Sequence, residues 1–364
     1  MEIKNKVISD NRENRPVILE VERLKKYFPV HGGLFLRQKG AVHAVDNVSF
    51  NVKKGETLGL VGESGCGKTT LGRCIMGLYP LSDGSVKLNG DHISSSNTQN
   101  REKNAPLKNF RLKMQMIFQD PFESLNSRHT VGEILEEKYI IHNRLGNIKC
   151  NREVRKREIA KLLERVGLAP EAVAKFPHEF SGGQRQRIGI ARAISLEPEV
   201  LICDEPVSAL DVSVQSQILN LLLNLQKEMG LTTLFISHDL SVVRHVSDRI
   251  AVMYLGQIVE MADTQALYNN PKHPYTEALL SAIPVPDPQI RRERIILKGE
   301  VPSPINPPKG CRFHTRCRYV MDICKNEVPH LKTVDNTIKE ENRSGRDAEN
   351  SEHEHFAACH LHSL

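Results

Sequence analysis

The stretch Gly62-Glu63-Ser64-Gly65-Cys66-Gly67-Lys68-Thr69-Thr70 carries the spacing G-x-x-x-x-G-K-[ST]. Glycines so placed let backbone N–H groups wrap the phosphates of a nucleotide. Lys68 is then positioned to neutralise the β- and γ-phosphates, and the Thr69 hydroxyl to ligate Mg²⁺. A second chemical pair stands far downstream, where Asp204 closes the apolar run Val200-Leu201-Ile202-Cys203 and Glu205 follows. A carboxylate at the end of a buried strand suits Mg²⁺, directly or through water, and its neighbour can activate water as general base. Two acids at a strand end say little alone. Behind the glycine loop they mark a nucleoside triphosphate site.

Ser181-Gly182-Gly183-Gln184-Arg185 precedes a run with apolar Ile188, Ile190, Ala191 and Ile194. A serine and two glycines at a helix start offer a hydroxyl, backbone N–H groups and the positive end of the dipole, which is a second anion site. One nucleotide does not need two cradles, so the economical reading gives this one the γ-phosphate held by a partner chain.

The elements that must position these groups follow from pattern. Thr57–Val61 suits a buried strand ahead of the loop, and Lys68–Met76 a helix that Gly77 stops. Residues 17–24 and 43–52 alternate like half-buried antiparallel strands. Residues 114–119, 200–203 and 232–237 are short apolar runs suited to buried strands. Between Pro121 and Phe180 the texture is helical and charged, with one helix ending at Gly167. Asp211 should cap a helix whose apolar face is Val214, Ile218, Leu221, Leu225 and Met229, closed by Gly230. Residues 91–109 read as a polar loop. Prolines crowd the chain from about Asn269, as in a linker or small irregular domain. Residues 335–355 read as disordered, and the histidines His353, His355, His360 and His362 as exposed terminal residues.

At 364 residues and a net charge of +6 the chain has room for two or three domains and no strong nucleic-acid footprint. The polar N-terminus lacks a signal-peptide core, and no apolar run approaches the roughly 18 residues of a spanning helix. The chain is expected to be soluble, or peripheral to a membrane through other subunits. Of eight cysteines, Cys66, Cys74, Cys150 and Cys203 are dispersed and read as small hydrophobes. Cys311, Cys317, Cys324 and Cys359 cluster at the end and read as a metal site sooner than disulfides. Four thiolates suit a [4Fe–4S] cluster or Cys₄ zinc. The absence of paired C-x-x-C hairpins weakens zinc without removing it.

With SGGQR in place, the chain resembles the nucleotide-binding subunits of ATP-binding-cassette (ABC) transporters over residues 17–262. The resemblance implies that Gln119 in MIFQD senses the γ-phosphate, joins Thr69 and Asp204 at Mg²⁺, and contacts the membrane subunits. It implies that Ser208–Asp211 is the D-loop, that His238 in FISHD is the switch histidine, and that Phe28, or failing it Tyr27, stacks on adenine. It further implies a RecA-like α/β P-loop core with an antiparallel β-subdomain and a helical subdomain at about 120–190. On this reading residues 1–15 are a disordered arm, 16–265 the ATPase domain, and 266–364 a small irregular cysteine-rich extension.

A narrower resemblance covers almost the whole chain. YFPVHGGLF, MQMIFQDPFESLN, CDEPVSALDVSVQ, HPYTEALLSAIPVPDP and GEVPSPINPPKGCRFHTRC are similar to the second ATPase type of oligopeptide and dipeptide importers. That family implies ATP hydrolysis in a head-to-tail pair with a distinct homologous ATPase, on two membrane permeases served by an extracytoplasmic peptide-binding protein. The place is then the cytoplasmic face of the membrane, as a peripheral subunit. It also tips the four cysteines toward iron–sulfur. Rival readings are an importer of nickel or another small solute, a soluble ABC ATPase of repair or translation, and a phosphotransferase. The last would have no use for SGGQR or the switch histidine.

Overall fold

The computed structural model describes residues 15–32, 37–95, 110–120, 124–284, 294–334 and 354–362. Two units are each assembled from separated stretches. One gathers Met1–Glu22, Ser49–Thr57 and Gly72–Ser237, the other Arg23–Val48, Leu58–Leu71 and His238–Leu364. Strands β1 (Val17–Gly32), β2 (Arg37–Lys53) and β3 (Thr57–Val61) and helix α1 (Lys68–Ile75) carry residues of both. β1 and β2 outrun the expected 17–24 and 43–52.

In the first unit β4 (Asp83–Leu88) and β5 (Asp91–Ser95) pair antiparallel. The start of β1 lies along β4: Asn89 N–H donates to the Ile18 carbonyl at 2.8 Å, and Lys87 reaches Glu22 at 2.6 Å. β5 corrects the expected loop 91–109, whose remainder lies outside the described residues. β6 (Met114–Ile117), β7 (Val200–Asp204) and β8 (Thr232–Ser237) run parallel. β7 and β8 are buried along their whole length, as continuous apolar strands of a covered parallel sheet should be.

Helices α2 (Val131–Arg144), α3 (Arg152–Arg165), α4 (Gly182–Ile194) and α5 (Val212–Met229) follow. Local chemistry sets where they start. Thr130 and Glu133 form a capping box on α2, and Asn151 Oδ1 accepts from Val154 N–H at 2.9 Å on α3. Asp211 stands at the α5 start without a side-chain capping bond, and Gly230 ends that helix in the left-handed region at φ 64°. Its buried face is Ile218, Leu222 and Leu225. Leu222 takes the place expected of Leu221, a shift of one residue around the 3.6-residue turn.

In the second unit Leu58–Val61 pairs in parallel with β9 (Arg249–Tyr254), which pairs antiparallel with β10 (Gln257–Asp263). Around them lie α6 (Leu240–Val246), α7 (Thr264–Asn269), α8 (Pro274–Ser281) and α9 (Asp322–Asn326). β11 (Lys332–Thr333) and β12 (Phe356–Ala357) extend the sheet beside β10. The described residues beyond 265 therefore belong to one unit with the glycine loop, and a separate cysteine-rich domain finds no support. The tail also corrects an expectation. His355 is fully buried, with Nε2 2.7 Å from the equally buried Glu260, and His360 is buried too. His353, the N-terminal arm 1–14 and most of 335–355 lie outside the described residues.

Candidate functional site

The glycine loop leaves β3 with its backbone bent where side chains cannot follow. A Cβ on Gly62 (φ 156°) would sit 2.1 Å from the Met253 carbonyl oxygen, and one on Gly67 (φ 107°) 2.0 Å from that of Ala44. Lys68 is nearly buried, and its Nζ donates to the carbonyls of Gly62 at 2.8 Å and Glu63 at 3.0 Å. The loop thus closes around its own ammonium, with Ser64 and Gly65 turned to solvent and Thr69 and Thr70 half-buried at the helix start. Burial raises the pKa of Cys66, against the pull of Lys68, so it stays a neutral thiol and packs as a small hydrophobe.

Glu63 is tied on every side. Its N–H donates to the Tyr275 hydroxyl at 2.9 Å, its carbonyl takes Lys68, and its carboxylate takes both arms of Arg316 at 2.8 and 3.2 Å. Arg316 rides on the segment 311–317, anchored by Phe313, which is 1% exposed. Phe313 meets Tyr254 edge-on, 5.2 Å between centroids at 87°, and Tyr275 at 5.4 Å. Such a contact is worth about 0.5–1.5 kcal/mol beyond the ~1.5–3 kcal/mol of burying the ring. Arg312 bonds the Asp46 carboxylate and the Leu255 carbonyl. Sequence reasoning missed Arg312 and Arg316, which stand in GCRFHTRC, and Tyr275, which stands in HPYTEALL.

In the first unit Asp204 ends β7 fully buried. A carboxylate there fits a divalent cation, because burying a charge is costly without cationic company. Glu205 has left-handed backbone, φ 45°, and its N–H donates to the Ile236 carbonyl at 2.9 Å. Gln119 Nε2 donates to Glu205 Oε2 at 2.8 Å, which joins two of the expected residues. Ser181 caps α4 reciprocally with Gln184, at 3.0 and 3.4 Å, both at the surface. Gly183 has a packing reason as well: a Cβ would lie 2.5 Å from Val214. Gly182 is half-buried beside it, and Ser208 and Asp211 are exposed.

His238 lies at the surface of the second unit, after β8. Phe28 is half-buried with the Lys26 ammonium 4.7 Å from its ring centre, while Tyr27 faces His43 at 4.3 Å and bonds Asp46 at 2.5 Å.

Burial first, and the neighbouring cysteines after it, push the Cys311 and Cys359 thiols up to about 11 and raise that of Cys317. Four thiols are donors of the kind an iron–sulfur cluster or zinc takes. Among the described residues no three or more His, Cys, Asp or Glu side chains form a metal-holding group. The expected [4Fe–4S] or zinc site thus finds no support in the structure. No described helix is long and apolar enough to cross a membrane.

Comparison with known proteins places these features. The ABC transporter family matches residues 45–208, and the family described as oligopeptide/dipeptide transporter, C-terminal region, matches 259–324. The chain is 52% identical over 352 residues to the oligopeptide transport ATP-binding protein AppF of Bacillus subtilis, covering 96% of this chain and 99% of that one. It is 48% identical to the dipeptide transport ATP-binding protein DppF of Haemophilus influenzae, covering 88% and 94%. Among solved structures, the dimeric cassette MJ0796 bound to ADP and phosphate aligns with a TM-score of 0.57 at 25% identity, covering 68% of this chain and 99% of that one. CbiO1 of Clostridium perfringens aligns equally well, at 28% identity over 70% of this chain and 91% of that one. The chain belongs to the ATP-binding proteins of ABC transporters, in their oligopeptide/dipeptide branch, and its activity is ATP hydrolysis coupled to transport.

Proposed function

We propose that this chain powers the import of peptides, as one member of a head-to-tail ATPase pair on two membrane permeases. The observation that carries the reading is a phosphate loop, with Lys68 held inside it, on the same chain as a matching oligopeptide/dipeptide C-terminal region. Lys68 and the N–H groups of 62–70 take the β- and γ-phosphates, and Phe28 the adenine. Thr69, Asp204 and Gln119 hold Mg²⁺, which when bound withdraws charge from the phosphates. Glu205, oriented by Gln119, takes a proton from the attacking water, and His238 steadies the γ-phosphate. Ser181–Gln184 serve the nucleotide of the partner ATPase, with Asp211 in the D-loop. Support for a partner comes from the surface position of Ser181, Gln184, Ser208 and Asp211 and from Val212, 78% exposed.

The partner is a second, homologous chain, the place the cytoplasmic face of the membrane, and delivery falls to an extracytoplasmic peptide-binding protein. The test is ATP turnover in vesicles holding the complete transporter. Peptide-loaded binding protein should stimulate it. Stimulation by nickel or another small solute and not by peptide would overturn the cargo. Loss of turnover at the partner's phosphate loop on Ser181→Ala is expected, and full activity of a dilute monomer would sink the shared site. A [4Fe–4S] cluster on Cys311, Cys317, Cys324 and Cys359 rests on the family resemblance alone, since no metal-holding group forms among the described residues. Anaerobic preparation should then give a brown protein with about four irons; a colourless one would end it.

A further inference from the structure

The phosphate loop needs its N–H groups and Lys68 to hold still while a highly charged anion arrives, since affinity is lost to whatever ordering binding must impose. Glu63 is the residue through which the loop is held, yet its carboxylate is a negative charge beside that anion. Arg316 answers both requirements. Its side chain is 8% exposed against 27% for Glu63, and the contact is two-armed. A planar fork on a carboxylate fixes direction as well as neutralising charge, which a lysine in its place would not do equally. The arginine is itself immobilised. Cys311 N–H bonds the Cys324 carbonyl at 2.9 Å, Arg316 N–H bonds that of Phe313 at 3.0 Å, and Gly310 passes so near α9 that a Cβ would lie 2.5 Å from the Cys324 oxygen. From Arg316 the path to Lys68 has two links, the Glu63 carboxylate and the Glu63 carbonyl.

We propose that Arg316 is a positioning residue for ATP, which neutralises Glu63 and sets the carbonyl that holds Lys68, so that the C-terminal segment is a working part of the nucleotide site. This rests on the reading that residues 62–70 hold the triphosphate.

The experiment measures the Kd of ATP·Mg²⁺, by displacement of a fluorescent ATP analogue, on the full-length chain. The variants are Arg316→Ala, Arg316→Lys, Glu63→Gln and the double Arg316→Ala/Glu63→Gln, with Arg318→Ala and Lys68→Ala as references. Arg316→Ala should weaken binding roughly tenfold, about 1.4 kcal/mol, and Arg316→Lys by less. Adding Glu63→Gln to Arg316→Ala should return part of the loss, because the unpaired carboxylate is gone; a merely structural role would not show this coupling. Arg318→Ala, which breaks an exposed pair with Glu277 in the same segment, should leave Kd unchanged. Parent-like affinity in Arg316→Ala, or strictly additive effects in the double variant, overturns the proposal. Should Arg316→Ala fail to fold, parent-like affinity in both Arg316→Lys and Glu63→Gln overturns it equally. If Lys68→Ala loses binding while every Arg316 variant keeps it, only this proposal falls. If Lys68→Ala binds as the parent does, the reading of the loop falls and takes the proposal with it.

Discussion

Acid should loosen the support of the phosphate loop through His273. This residue caps α8, where its Nδ1 accepts from the Tyr275 N–H at 3.1 Å, and Tyr275 in turn holds Glu63. Burial is the main cause that lowers its pKa from 6.5 to about 4; Glu260 opposes the shift and His362 adds to it. The folded chain thus refuses a proton that the unfolded chain accepts between those values. Stability is flat above 6.5, falls as pH drops toward 4, and is flat again below. At about 1.4 kcal/mol per pH unit the whole span costs about 3 kcal/mol, of which about 2 kcal/mol is lost between pH 7 and 4.5. The assay is urea denaturation of the full chain at both pH values, beside His273→Asn, whose short amide can accept the Tyr275 N–H but does not titrate. The parent should lose about 2 kcal/mol more than the variant. Parallel losses in the two would refute the assignment.

Glu205→Gln should keep ATP binding and lower turnover roughly 10²–10⁴-fold, read as phosphate release in the assembled transporter; parent-like turnover would take the base role from Glu205. Gly67→Ala should abolish ATP binding, since its methyl group meets a backbone oxygen at 2.0 Å and its φ is 107°; measurable affinity in a folded variant would contradict the described path of the loop. Lys138 in α2 is half-buried with Nζ on the Arg192 carbonyl at 2.8 Å, and desolvation, helped by Arg192, lowers its pKa from 10.5 to about 7. The unfolded chain binds the extra proton between those values, so stability should climb with pH across them. Lys138→Met should flatten that climb, and an unchanged slope in denaturation midpoints would count against it.

Much of this was legible in the sequence where one local rule carries the signal. The glycine loop, the strand ending in Asp204, the Ser181 cap and the helix stops at Gly167 and Gly230 each follow from spacing or backbone freedom within a few residues. What escaped depends on partners far apart in the chain. Nothing near Glu63 announces Arg316, and nothing in a polar tail announces that His355 will meet a buried Glu260. The aspartate and serines of 91–95 argue for a loop until β4 offers a partner strand. The cysteines show the converse: four of them grouped near the end of the chain do not of themselves make a metal-holding group among the described residues.

The return of the chain to β10 has a consequence for how the end of this protein can vary or be engineered. Val334 N–H donates to the His355 carbonyl at 2.7 Å, so the two ends of the connecting stretch stand side by side. Between ends held in this way, doubling the length of chain costs only about 0.6 kcal/mol in closure entropy. Insertions between those ends are therefore nearly neutral, and a tag or reporter belongs there. Trimming before Glu354 is another matter, because β12 covers the rim of β10 at Glu260 and Met261. Without it that strand becomes an open template for other chains, and the shortened protein should fail by clumping rather than by losing its catalytic groups.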